Sequence, residues 1–465
     1  MTEKLQQTLR DSKAARWTAL AIVAFTMLCG YYLADVMAPL KGLLEQQLSW
    51  NSEDYGFFTS AYGWFNVFLF FLIFGGIILD KMGVRFTGLM ATSIMVVGIA
   101  IKYWAVSTHS LDGQVWNLYI FSSKAQVVMA GLGFAIFGVG IEVVGITVSK
   151  IIVKWFKGKE LALAMGLEMA TARIGTGLAI GTSLPLAKAF GTVSMPLLFG
   201  LVMACIGLMA FILYTFQDKK LDASQAAYDK ENNVVDEEEA FSIKDIWKIV
   251  TNKGWWYIAI LCVLFYSAVF PFLKYATDLM VQKFGVDEDW AGLIPALLPF
   301  GTIILTPFFG NLYDRKGKGA TIMIIGSIML IFVHAMFAVP FLSHWSIAIF
   351  LVILLGIGFS LVPSAMWPSV PKIIPEKQLG TAYSLIFWVQ NWGLMGVPAL
   401  IGWVLNTYCI IGETKVGEAT VYSYNYTIPM MIFTGFGILA LLFAFLLKIE
   451  DKKKGYGLQL PNIQK

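Results

Sequence analysis

Gly76-Ile77-Ile78-Leu79-Asp80-Lys81-Met82-Gly83 and Gly310-Asn311-Leu312-Tyr313-Asp314-Arg315-Lys316-Gly317 are two copies of one pattern, Gly-x-x-x-Asp-basic-x-Gly. Each copy follows the second long apolar run of its half of the chain. A second pair of stretches repeats as well: Phe137-Gly138-Val139-Gly140-Ile141-Glu142 matches Leu355-Gly356-Ile357-Gly358-Phe359-Ser360. The shift that aligns this pair also sets Gly175 against Gly393 and Arg173 against Asn391. It differs from the shift between the loop copies because the first half carries a longer loop near residues 106–124. The chain therefore reads as a duplication.

Outward from these copies, apolar runs of roughly 20 residues recur from Trp17 to Lys448, long enough to cross about 30 Å of hydrocarbon. Twelve spans are predicted, at 17–40, 55–79, 86–105, 125–149, 161–187, 195–216, 254–281, 289–311, 320–341, 346–370, 380–406 and 425–448. The fold class is an all-α membrane protein of two pseudo-symmetric six-helix bundles. The first bundle is 1–216, the second with its tail is 254–465, and 217–253 is a polar linker. The linker carries the acidic run Asp236-Glu237-Glu238-Glu239 and then a stretch ending at Trp247 that reads as a short amphipathic surface helix.

Composition excludes the competing classes. Of 465 residues, 58% are hydrophobic and 14% charged, against about 25% charged in a soluble chain. A soluble helical protein does not need so many runs that are apolar all round, and a β-barrel shows short alternating segments instead. The polar segment Met1–Arg16 is too acidic for a cleavable signal, so the first span is read as retained. The cysteines Cys29, Cys205, Cys262 and Cys409 are scattered and read as packing residues. The histidines His109, His334 and His344 form no metal or triad pattern, no phosphate-binding loop is present, and no cofactor is expected.

Cytoplasmic loops retain Lys and Arg. With the N-terminus inside, most of the 34 Lys and Arg fall in inside segments. The outer loops and helix ends keep Lys41, Lys102, Lys124, Lys188, Lys283 and Lys415. Both termini are then cytoplasmic. The repeated loops fall on the same side, where Gly permits close helix approach and Asp at a helix end can pair with a base or a helix dipole. Asp80, Lys81 and Arg85, with Asp314 and Arg315, are expected to act as a gate.

Ionisable groups inside a membrane are expensive and mark function. The candidates are Asp35, Glu142, Glu168, Arg173, Lys274 and Asp278. Glu142 aligns with Ser360 and Arg173 with Asn391, so the first half has an acid and a base where the second has neutral polar groups. One carboxylate and one guanidinium suit a zwitterion, because the Arg fork takes a carboxylate bidentately. Equally, the two could neutralise each other. Lys274 and Asp278, one turn apart, are expected to pair. Glu168 points to another face, as a helix partner or a proton site. Tyr62, Trp64, Asn66, Trp367, Gln390, Asn391 and Trp392 are polar or aromatic candidates for a cavity wall. Gly177 and Gly181 form a helix-packing face.

The repeated loop resembles the signature of the major facilitator superfamily. Further stretches resemble one branch, the lysosomal dipeptide transporters of animals and their bacterial relatives. These are Ala61-Tyr62-Gly63-Trp64-Phe65-Asn66, Trp155–Glu160 running to Ala172-Arg173-Ile174-Gly175, Ala268–Phe272, Trp367-Pro368 and Pro375–Tyr383 to Gln390-Asn391. The resemblance implies transport of dipeptides by uniport, with an acid of the fourth helix, here Glu142, receiving the amino terminus. An arginine of the fifth, here Arg173, would receive the carboxylate. The chain departs from that branch at Phe134, where the branch has a base, at Glu168, where it has a neutral amide, and at the extra charge of Lys274. The outer loops look short, with no platform for the glycoprotein partner of the animal proteins. A monomer working alone in a bacterial inner membrane is expected, with the bilayer and a zwitterionic dipeptide as its partners and no nucleic acid. A carrier of organic anions or sugar phosphates would use Arg173 and Lys274 as paired anchors, but leaves Glu142 unexplained. A non-transporting receptor leaves the retained Asp80 and Asp314 unexplained.

Overall fold

A computed structural model describes residues 9–118, 121–156, 160–232, 243–375, 378–417 and 419–461. The first crossing starts where Ser12 caps α1 (Lys13–Asp35) through the Ala15 N–H. Pro39 then imposes a 3₁₀ turn at Ala38–Leu40, and the chain resumes as α2 (Lys41–Leu48). Asn51 and Asp54 form a reciprocal capping box on α3 (Ser52–Ser60). The second crossing continues through α4 (Trp64–Phe68) and breaks at Phe70, which stands at φ 56° before α5 (Phe71–Ser107). Inside α5, Gly83 at φ 77° and ψ 173° divides the helix into two arms that belong to the second and third crossings. This is the final glycine of the first loop copy, and a side chain there would be strained.

The first half continues with α6 (Ala125–Phe156), α7 (Leu161–Phe190) and α8 (Met195–Asn232). Helix α8 runs beyond the predicted span, through residues assigned above to the linker. The short α9 (Ile243–Val250) exposes Trp247 and buries Ile249. The acidic run Asp236–Glu239 lies outside the described residues. In the second half, the seventh crossing is divided into α10 (Lys253–Ser267) and α11 (Phe270–Phe284), with Pro271 in the first turn of α11. Then follow α12 (Glu288–Ala291), α13 (Leu293–Lys316), α14 (Gly319–Ala338), α15 (Trp345–Ile373), α16 (Leu379–Tyr408) and α17 (Thr427–Lys454). Ten segments of the described residues are long and apolar enough to cross a membrane. The broken second crossing and α7 complete the twelve. Leu213 and Ile304 stand 63% and 75% exposed on the outside of the bundle, as lipid-facing side chains must.

The aligned glycines do the same work in both halves. A Cβ on Gly175 would lie 2.3 Å from the Leu28 carbonyl, so this glycine brings α7 against α1. A Cβ on Gly393 would lie 2.0 Å from Ser267 Oγ, which brings α16 against α10. Such close backbone approach is the usual role of small residues between membrane helices.

The outer loops are not featureless, contrary to their short appearance in the sequence. Val115–Leu118 (β1) pairs with Phe121–Lys124 (β2), and Ile410–Val416 (β3) with Ala419–Tyr424 (β4), each as an antiparallel hairpin. These hairpins lie on the face opposite the ends of the chain. The two faces are called the hairpin face and the terminal face below.

Candidate functional site

Between the halves lies a cavity of about 220 Å³. Its walls come from α1 (Met27, Tyr31, Asp35), α6 (Glu142, Ser149), α7 (Glu168), α11 (Phe270, Lys274) and α16 (Phe387, Gln390), with Thr59 and Tyr62 from the second crossing.

Glu142 sits deep in this wall. Its Oε1 accepts the Tyr62 hydroxyl at 2.8 Å, and Asn391 of the other half approaches the same carboxyl. Arg173 stands one helix away and does not pair with it. Its guanidinium is stacked among three rings, 5.2 Å from Phe359, 5.4 Å from Phe270 and 5.8 Å from Tyr31. Among the described residues the fork has no carboxylate partner. Rings hold a cation in place through their faces while its N–H groups stay available. Tyr31 and Phe270 line the cavity, so the guanidinium lies directly behind its wall.

Lys274 and Asp278 do not pair with each other, although they lie one turn apart. Each finds a better partner in the first half. The Lys274 ammonium donates to Asp35 Oδ1 and to the Ala34 carbonyl, both at 2.6 Å. Asp278 accepts Lys41 at 3.0 Å and also the Tyr426 hydroxyl. The reason is geometric: α11 packs against the turn after α1 and against α2, so partners across the interface are nearer than the next turn. Asp35 also accepts Thr176 Oγ1 at 2.8 Å. Asp35 and Lys274 thus form a neutral ceiling over the cavity.

A second tier lies beyond that ceiling, toward the hairpin face. Lys41 stands 3.9 Å from Glu45, whose Oε1 accepts the Tyr424 hydroxyl at 2.9 Å and the Tyr422 N–H at 3.1 Å. On the hairpin face itself, Lys188 bridges to Glu288 at 2.9 Å and Asp289 at 2.8 Å, and Asn406 donates to Glu53 at 3.0 Å. Every ion pair joining the halves among the described residues is on the hairpin side of the cavity. Toward the terminal face the halves touch through rings: Phe70 stacks on Trp388 at 5.6 Å, and the Trp388 indole N–H reaches the Val67 carbonyl.

The gate candidates lie at the terminal face. Asp80 accepts Lys150 at 2.9 Å within its own half. Arg85 reaches Asp222 at 2.8 Å and Asp218 at 3.5 Å, which Lys154 also binds. Asp314 and Arg315 close α13 next to Gly317, the matching turn of the second half. Lys81 is exposed beside Asp80.

The other candidates divide. Tyr62 and Gln390 line the cavity. Trp367 does not: its indole donates to the Tyr266 hydroxyl at 3.1 Å, and it supports Phe387 from behind. Asn391 is buried and donates to the Phe387 carbonyl. Asn66 is a packing residue bonded to the Gly138 carbonyl. Lys102, assigned above to an outer helix end, is fully buried, with its ammonium 4.4 Å over the Phe134 ring. Glu168, read from the sequence as pointing to another face, lines the cavity. Tyr31, Phe270 and Phe359 were missed. Phe359 lies inside the repeated stretch Leu355–Ser360, opposite Ile141, and that asymmetry was the available signal.

A two-halved bundle with a charged cavity at the interface and its cross-half contacts gathered on one side is the architecture of a membrane carrier. The chain belongs to the Major Facilitator Superfamily, whose model matches residues 20–398 and 277–461. It is 27% identical over 404 residues to the "Lysosomal dipeptide transporter MFSD1" of Mus musculus, covering 85% of this chain and 81% of that one. Among solved structures it resembles a D-xylose-proton symporter, with a TM-score of 0.68 at 14% identity over 92% of this chain and 97% of that one. The nucleoside transporter NupG gives a TM-score of 0.66 at 13% identity, over 93% and 99%. These two likenesses establish the fold. The protein is a multi-pass membrane transporter.

Proposed function

We propose that the protein is an alternating-access carrier of dipeptides or small peptides, with Glu142 receiving the substrate ammonium and Arg173 its carboxylate. The observation that carries this reading is that two opposite charges stand at one cavity, Glu142 in its wall and Arg173 directly behind the rings of that wall, without neutralising each other. Glu142 is served by a neutral hydroxyl and Arg173 by rings, so a zwitterion completes both. The naming of the mouse relative as a dipeptide transporter supports the same substrate class. Tyr62 orients Glu142, Gln390 offers an amide to the peptide bond, and Asn391 and Trp367 back the wall. Asp35 and Lys274 close the cavity above the substrate.

The moving bodies in this reading are the bundles 1–216 and 254–465, with 217–253 between them. Both termini and the terminal face are cytoplasmic, the membrane is the bacterial inner membrane, and the working unit is the monomer. Asp80, Lys81, Arg85, Asp314 and Arg315 stabilise the opposite state, closed at the terminal face. The test is uptake by purified protein in liposomes. Labelled dialanine should exchange, while alanine and glucose 6-phosphate should neither exchange nor compete. Competition by the sugar phosphate would replace the peptide reading with an anion carrier.

A further inference from the structure

The cavity holds more acid than base. Asp35 and Lys274 neutralise each other at 2.6 Å. What remains is two carboxyls in the wall, Glu142 and Glu168, against one guanidinium directly behind it, Arg173. Glu142 already has a hydroxyl donor and, on the reading above, the substrate ammonium. Glu168 has neither. It is 6% exposed, lines the cavity from α7, and has no hydrogen-bond or ion-pair partner among the described residues. The titratable groups around it are Tyr31 and Asp35 on α1, Glu142 on α6, Lys274 on α11 and Arg173 on its own helix. Of these, Arg173 is the charge that reaches it. Lys102 is directed elsewhere, to the Leu33 carbonyl at 3.3 Å and the Phe134 ring. A zwitterion brings one charge of each sign and leaves the acid surplus untouched. A carboxylate left unmatched in a desolvated membrane site is costly.

We propose that Glu168 is a proton-binding site and that its proton crosses the membrane with the substrate. The coupling rests on the zwitterion reading and follows from competition for Arg173. While the substrate carboxylate holds the guanidinium, Glu168 is the neutral acid. When the substrate leaves, Arg173 turns to Glu168. The O–H bond then breaks, the carboxylate keeps the electron pair, and the proton passes to cavity water. Reloading on the other face runs the same steps backwards. One proton accompanies each peptide, so the carrier is a symporter where the resemblance implies uniport.

The test uses full-length protein in liposomes with the membrane potential clamped and labelled dialanine as substrate. An acid-outside gradient of about one pH unit should drive about tenfold accumulation by the wild type, by linkage of one proton to one peptide. Glu168→Gln should only equilibrate the peptide, and its exchange, at whatever rate, should not change with pH. A wild type that only equilibrates, or a Glu168→Gln protein that still accumulates, overturns the proposal. Infrared titration of the substrate-free protein reads the site without any peptide. The acid carbonyl band should be lost on raising the pH in the wild type and be missing from Glu168→Gln. Identical titrations overturn the proton site. If the band behaves as expected but neither protein exchanges dialanine, the peptide reading falls and the proton site stands.

Discussion

The Lys274 ammonium lies 2.6 Å from the Asp35 carboxylate, and the two residues belong to opposite halves of the chain. The contact is tied into backbone on both sides. Lys274 also holds the Ala34 carbonyl, and the Tyr55 hydroxyl reaches the Lys274 carbonyl at 2.8 Å. Opening the hairpin side must therefore separate two charges that are 16% and 10% exposed at their side chains. Breaking a buried pair by removing one partner costs about 3–5 kcal/mol, because the survivor stays buried.

Lys274→Met should accordingly favour the state open at the hairpin face, since Asp35 is better solvated there. A cysteine at Thr59, in the cavity wall, should then become reachable from the hairpin side. Adding Asp35→Asn should restore much of the protection, because no unmatched charge remains. Equal labelling of wild type and Lys274→Met would show that this pair does not hold the face shut.

Arg173→Lys should lose most substrate binding, by about 2–5 kcal/mol for an unmatched buried carboxylate. A lysine point charge cannot reproduce the bidentate fork, and it would sit differently among the three rings. Peptides amidated at the C-terminus should bind the wild type poorly. Isothermal titration with free and amidated dialanine decides this, and equal affinity for both would remove the role.

N-acetylated dipeptides should bind worse than free ones by about 2–5 kcal/mol, the cost of leaving Glu142 unmatched once Arg173 is engaged. Glu142→Gln should abolish that preference. A Glu142→Gln protein that transports normally and still rejects acetylated peptides would leave Glu142 as a Tyr62 partner only. The amine site would then be sought at Glu168, Asp35 or Asp278.

Asp80→Asn releases Lys150 from its 2.9 Å pair, and Asp314→Asn changes the matching helix end. Each should shift the conformational balance while leaving peptide affinity intact. Cysteine labelling of the lower cavity, at Ser149, measures the shift. Unchanged labelling in both variants would refute a gating role.

At the terminal face, Arg16 clamps Glu160 with bonds of 2.8 and 3.1 Å. This hydrogen bonding holds the Glu160 carboxyl below the ordinary carboxylate range. A carboxyl depressed in the folded state contributes stability above its unfolded value and loses it as the pH falls through the folded value. Glu160 should therefore help at neutral pH and cease to help in acid. Comparing thermal unfolding of wild type and Glu160→Gln across pH should show a gap that closes only in acid. A gap independent of pH would mean that the contact is merely packing.

The repeated loops and the apolar runs carried the fold, because membrane crossing imposes a length and a polarity that any single sequence displays. Glu142 and Arg173 were legible for the same reason: a charge in an apolar run stands out. What the sequence hid was three-dimensional pairing. Lys274 and Asp278 look like partners along one helix, and only the packing of α11 on the turn after α1 gives them to Asp35 and Lys41. The ring cage around Arg173 draws on α1, α11 and α15; only Phe359 carries a mark, its place opposite Ile141 in the repeat, and nothing local marks Tyr31 or Phe270 among so many aromatic residues. The breaks at Phe70 and Ala268 were equally silent, since neither interrupts the hydropathy.

Gly56 on α3 and Gly402 on α16 face each other across the halves with nothing between them. A Cβ on Gly402 would come within 2.4 Å of the Ser52 carbonyl and 2.7 Å of Gly56 Cα, and a Cβ on Gly56 within 2.7 Å of the Pro398 carbonyl. The neighbours are backbone and cannot swing aside. A single added methyl group is therefore a wedge: alanine gains up to about 1 kcal/mol over glycine as a helix former, yet it prevents these two helices from meeting. Gly402→Ala should fold as a sound bundle that never fully shuts its hairpin side. That would make one carbon atom a chemical doorstop for trapping the complementary state of the carrier.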